Sequence, residues 1–157
     1  MKKPLDLTIP LSGSPSMISL EKRPYHSDST PEEVDAIKDR VFVYQQEIIY
    51  IKEIPVLSSF SINLVFNKVM SLAKTYNRFG IIIDLSESDR PDADTRRTIG
   101  KCFKQICDTA VHVSFCTGGR LELETYISYI FHGVDVASYS INKDADSEIL
   151  ATKNALS

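Results

Sequence analysis

Residues 79–103 read FGIIIDLSESDRPDADTRRTIGKCF. Ile81, Ile82 and Ile83 form a short unbroken β-branched run that stops at Asp84, Leu85 and Ser86. Apolar residues at consecutive positions in so short a run predict a strand covered on both faces, because alternate side chains point to opposite sides. Pro91 suits the first turn of a helix, where its missing N–H is no loss. Asp89, Asp92 and Asp94 are candidates to cap the free N–H groups there and to complement the positive end of the helix dipole. Ile99, Cys102, Phe103 and Ile106 then recur at spacings of three and four, which makes one apolar helical stripe.

Upstream of this core, residues 1–31 hold prolines at 4, 10, 15, 24 and 31 among many serines. That composition predicts extended or disordered chain, with Met17–Leu20 able to add an edge strand. Thr30, Pro31 and Glu33 are a helix start, followed by a short helix ending near Arg40. Val41–Tyr44 and Ile48–Ile51 are β-branched and aromatic runs around Gln45, Gln46 and Glu47, a hairpin pattern. Ser58 or Ser59 caps a long helix to about Tyr76, with Ile62, Val65, Val69 and Leu72 on its apolar face.

Downstream, the second long helix runs to about Asp108, and Val111–Cys116 forms the next strand. Thr117–Arg120 is the turn out of it. A third long helix carries Leu123, Tyr126, Ile127 and Ile130 and closes at Gly133, a natural left-handed cap. Val134–Ile141 is the last strand, and Asp144 caps a final helix bearing Ala145, Ile149, Thr152 and Leu156. Strands joined through helices run parallel with right-handed crossovers, and the opening hairpin adds an antiparallel strand. The expected fold class is α/β: a mixed sheet, with an opening antiparallel hairpin and then parallel strands alternating with helices.

A chain of 157 residues suits one domain with a real core. We take residues 1–31 as the N-terminal segment and residues 32–157 as the single folded domain. A formal charge of −3 gives no general electrostatic reason to bind nucleic acid or an anionic membrane. Neither a membrane-spanning apolar run nor a signal-peptide hydrophobic segment is present in the sequence. Of the three cysteines, Cys102 and Cys107 fall in a helix at a spacing that points their side chains apart, and Cys116 falls in a strand. They read as reduced core thiols of a cytoplasmic protein.

The order of elements, with IIIDLSESDRPDADTRRTI at its centre, resembles the STAS family, the sulfate transporter and anti-sigma-factor antagonist domain, and its SpoIIAA-like branch in particular. The resemblance covers residues 40–157 and implies a STAS/SpoIIAA-like mixed sheet. In phosphorylated members of the family the central strand ends in a loop reading Asp-Ser-Ser-Gly, whose second serine is phosphorylated to switch partner binding. Those positions correspond here to Asp92, Ala93, Asp94 and Thr95. Only the leading Asp is kept, and Asp94 stands where the family has its phosphoacceptor. The resemblance therefore implies a non-catalytic regulatory or protein-binding domain, of a divergent anti-sigma-factor-antagonist type, rather than an enzyme.

The partner-binding or switch loop so expected comprises Asp84, Asp92, Asp94, Thr95, Arg96, Arg97 and Lys101. Its plain reading is helix capping and a solvated basic face; its functional reading is a fixed negative knob at Asp94 beside a basic docking stripe. Thr117, Gly118, Gly119 and Arg120 form a second candidate, an anion site in which free N–H groups at a helix start lie beside a guanidinium. A small-ligand or anion-binding domain using these strand-end loops is the alternative function. Asp84, Thr117 and Lys143 also match the Asp, Thr and Lys of a receiver domain, without the acidic pair that holds its metal. His26, His112 and His132 lack metal-ligand spacing, so neither metal nor cofactor is expected. The expected partner is a protein, with self-association into a homodimer as an option, and neither nucleic acid nor membrane insertion is expected.

Overall fold

The computed structural model describes residues 20–45, 47–52, 54–131, 139–142 and 144–157. The described residues form five strands and five helices in an α/β arrangement. The strands β1 (Val41–Tyr44), β2 (Ile48–Ile51), β3 (Gly80–Asp84), β4 (His112–Cys116) and β5 (Tyr139–Asn142) lie side by side in chain order. β1 and β2 pair antiparallel across a turn in which Gln45 takes φ 49°, and every later pairing is parallel. β3 is the central strand, as the isoleucine run predicts.

Each parallel step advances one strand in the same direction, so right-handed crossovers place the connecting helices on one face. These helices are α2 (Ser59–Ala73), α3 (Ala93–Thr109) and α4 (Leu121–Phe131). Val65 and Val69 of α2, Ile106 of α3 and Ile127 of α4 share one cluster with Ile49, Ile51, Ile81, Ile83, Val113 and Phe115 of the sheet. Helix α1 (Pro31–Lys38) adds Ile37 to the same cluster. Its start is the expected capping box, with Thr30 and Glu33 satisfying each other's backbone N–H.

The opposite face carries the C-terminal helix α5 (Ala145–Leu156) alone among the described helices. Ile149 packs there with Phe42, Tyr44, Ile48, Tyr50 and Ile82. Gly80 lets α5 approach: a Cβ at that position would meet the Thr152 methyl at 2.3 Å.

Several boundaries differ from the expected ones. α2 stops at Ala73, and Pro91 lies before the helix rather than in its first turn, because Asp92 is the N-cap of α3. Residues 20–30 are irregular, yet Tyr25 among them is 3% exposed and belongs to the main core, so this part of the N-terminal segment packs on the domain. Its carbonyl accepts a hydrogen bond from the hydroxyl of Ser58, the N-cap of α2. The cap proposed at Gly133, the beginning of the Val134–Ile141 strand, His132, Lys143 and most of the Met17–Leu20 strand lie outside the described residues. The three cysteines are buried and unbridged, and no helix among the described residues is long and apolar enough to cross a membrane.

Candidate functional site

Asp84 ends β3 and turns the chain out of the sheet. Its Oδ1 accepts from the Ser86 N–H at 3.0 Å and from the Ser86 hydroxyl at 2.6 Å, an Asx-type turn. The Tyr50 hydroxyl donates to Oδ2 at 3.5 Å. Beyond this turn the loop is tied down rather than free. The buried Ser88 hydroxyl donates to the Ile54 carbonyl at 2.8 Å, and the Asp89 N–H to the Pro55 carbonyl at 2.8 Å. Both bonds join the loop to the segment between β2 and α2.

Asp92 then caps α3. Its Oδ1 accepts from the Thr95 N–H at 2.8 Å, and this bond to the charged form, helped by Thr95 and by Arg96 and Arg97 nearby, holds its carboxyl below the ordinary carboxylate value. Thr95 is buried, and Arg96 donates to the Pro91 carbonyl at 2.9 Å. Asp94, Arg97 and Lys101 are exposed, with Lys104 continuing the stripe at helical spacing. Asp94 and Arg97 form an ion pair, so the acidic knob is neutralised by its own neighbour. Among the switch-loop residues, Asp84, Asp92, Thr95 and Arg96 thus build the turn and the helix start, while Asp94, Arg97 and Lys101 face solvent.

The loop after β4 lies against the loop after β3. Gly118 and Gly119 take φ of 65° and 80°, a left-handed backbone that favours glycine. A Cβ on Gly118 would also come within 3.1 Å of the Ser86 side chain. The buried Thr117 oxygen accepts from the Gly119 N–H at 3.3 Å. Arg120 donates through Nε to Glu122 at 2.9 Å and through Nη1 to the Ser86 and Ser88 carbonyls. The guanidinium that sequence spacing offers to an anion is engaged in clamping one loop to the other. Glu122 and Glu124 already place negative charge on the first turn of α4.

Between these loops and the helical layer lies a cavity of about 70 Å³ at the carboxyl ends of β2 and β3. Val65 and Val69 of α2, Ile99 and Ile106 of α3, Leu123 and Ile127 of α4 and Ile83 of β3 are buried residues of its wall. Lys52 and Asp84, both half-buried, and the exposed Asp89 also line it. Tyr126 also lines it, and its buried hydroxyl has no hydrogen-bond partner among the described residues. Burial raises the Tyr126 phenol above its ordinary value, with Arg96 and Arg90 acting against that rise. Cys102, another lining residue, is raised by burial, and Cys107 is pushed up to about 11 by burial and by Asp108. Both are therefore thiols rather than nucleophilic thiolates at neutral pH.

Sequence reasoning missed the cavity. Its one visible sign was a tyrosine set between Leu123 and Ile127 on an otherwise apolar stripe. It also missed a polar chain on the far face: His112 Nε2 lies 2.9 Å from the Ser140 hydroxyl, which lies 3.1 Å from that of Ser114, itself 2.7 Å from that of Thr152. Among the described residues, no group of three His, Cys, Asp or Glu is placed to hold a metal ion. Comparison with known proteins finds no matching family model, no matching curated protein and no matching solved structure.

Proposed function

We propose that this chain is a STAS-like, non-catalytic regulatory domain that binds a protein partner through the exposed face of α3. The observation that carries this reading is the position of α3. The order β1-β2-β3-β4-β5 sends the exit loop of the central strand directly into its N-terminus. That is where the resembling family presents its switch loop. Asp92 fixes the start of the helix, and Asp94, Arg97, Lys101 and Lys104 form a rigid charged stripe there. Three cations and one internally paired carboxylate make this a surface for an acidic protein face, recognised through charge-assisted hydrogen bonds.

The test is affinity capture from extracts of the source cells with the full chain, against the double variant Arg97→Glu, Lys101→Glu. The wild type is expected to retain a defined partner at low salt and to release it as salt screens the contact. The double variant loses that partner while keeping the wild-type melting temperature, since both substituted side chains are exposed. Identical captured sets for the two proteins would refute the reading.

A further inference from the structure

We propose that the cavity beneath α2, α3 and α4 is a binding site for a small apolar molecule carrying one hydrogen-bond acceptor. The apolar body lies against Val69, Ile83 and Ile106, and the acceptor meets the Tyr126 hydroxyl. This site is separate from the exposed stripe of α3, and the inference does not depend on the partner-binding reading.

Three observations converge on it. The first is size. At about 70 Å³ the cavity is several times the space a single water requires, about 10–15 Å³. The second is the lining, which is almost wholly apolar. A water needs two to four polar partners, and cavities lined by aliphatic and aromatic groups stay dry and take up apolar molecules instead. The third is Tyr126: a buried hydroxyl left without a partner is unfavourable, and an acceptor on the ligand would satisfy it.

The same walls define what is excluded. A nucleotide or another polyanion would find only the Tyr126 hydroxyl and Lys52 as donors, too few for its oxygens, and would meet the carboxylates of Asp84 and Asp89. The charged lining residues are Lys52, Asp84 and Asp89, of both signs, and Asp89 already pairs with Lys22 at 3.8 Å. The ligand class that remains is a single ring or short alkyl group with a carbonyl or ether oxygen. The location is also the usual one, at the carboxyl ends of parallel strands.

Acetophenone and ethylbenzene, matched in size and differing in the carbonyl, are the probes. Each is titrated into the full chain by calorimetry and by methyl NMR. Both are expected to move the Ile83 and Ile106 methyl signals, with acetophenone about fivefold tighter, the worth of one net hydrogen bond. Tyr126→Phe should equalise the two probes without lowering the melting temperature. Cys102→Met, which extends a lining side chain into the space, should weaken both. Absence of methyl shifts up to the solubility limit would overturn the proposal. So would a carbonyl preference that survives Tyr126→Phe, or affinities unchanged in Cys102→Met.

Discussion

The two faces of the sheet are built from alternate residues of the same strands, yet they are held together differently. On the helical face the register aligns Ile51, Ile83 and Phe115, and the alternate row aligns Ile49, Ile81 and Val113. These rows are apolar throughout, and four helices, α1 to α4, with part of the N-terminal segment, share their cluster. On the other face the row runs Phe42, Tyr50, Ile82, Ser114, Ser140. It begins with stacked rings 5.3 Å apart and ends in the hydroxyls of Ser114 and Ser140, bonded to each other, with that of Ser114 also bonded to Thr152 of α5. The apolar face is stabilised by burial, which is non-directional and tolerates an unfilled space. The polar seam has fixed partners and so specifies where one helix must sit. A cavity therefore persists on the first face, whereas the second sets the position of α5.

The comparison breaks most visibly at adjacent residues that face opposite ways. Phe115→Ala removes a fully buried ring that packs edge-on against Phe103, with centroids 5.5 Å apart. It should cost about 3–5 kcal/mol in urea unfolding. Gly80→Ala sets a Cβ 2.3 Å from the methyl of the buried, stiff Thr152 side chain. We expect a loss of about 1–3 kcal/mol. Thr152→Ser, which deletes that methyl and keeps the hydroxyl, should restore most of it in the double variant. Ser114→Ala, next to Phe115 but on the polar face, should cost only about 1–2 kcal/mol, from the loss of its hydroxyl bonds to Ser140 and Thr152.

The polar seam also predicts a pH dependence that the helical face lacks. Burial lowers His112 from its ordinary value of 6.5. The unfolded chain therefore binds this proton more readily, and stability falls as pH drops below 6.5 towards the lowered folded value. The fall levels off below that folded value. A urea-midpoint profile should show the decline in the wild type and flatten in His112→Asn above the carboxylate range. The smallest effect belongs to the exposed stripe: Asp94→Ala removes a surface ion pair and should shift stability by less than about 0.5 kcal/mol.

Local pattern carried the architecture because its signals are local. The isoleucine run, the Thr30 and Asp144 caps and the stripes of the long helices are each readable within a few residues, and each stands where the spacing puts it. The start of α3 lies two residues past Pro91, at Ala93, because Asp92 and Pro91 compete for the helix start, and the capping carboxylate won. The site was less legible because it depends on partners distant in the chain. Arg120 reads as a free cation beside glycines until Ser86 and Ser88 are brought against it. His112 reads as an isolated strand histidine until Ser140 arrives from β5. Tyr126 looks like a core aromatic until the cavity it lines is found between helices some sixty residues apart in sequence, at Val65 and Leu123.

Xenon pressure on a methyl-labelled sample tests the contrast between the faces most directly, because xenon occupies dry apolar cavities and requires no polar partner. Ile83, Ile99, Ile106 and Ile127, which line the cavity, should show saturable shifts. Ile48, Ile82 and Ile149, on the α5 face, should stay in place. Equal shifts at Ile82 and Ile83, or none at either, would contradict the account.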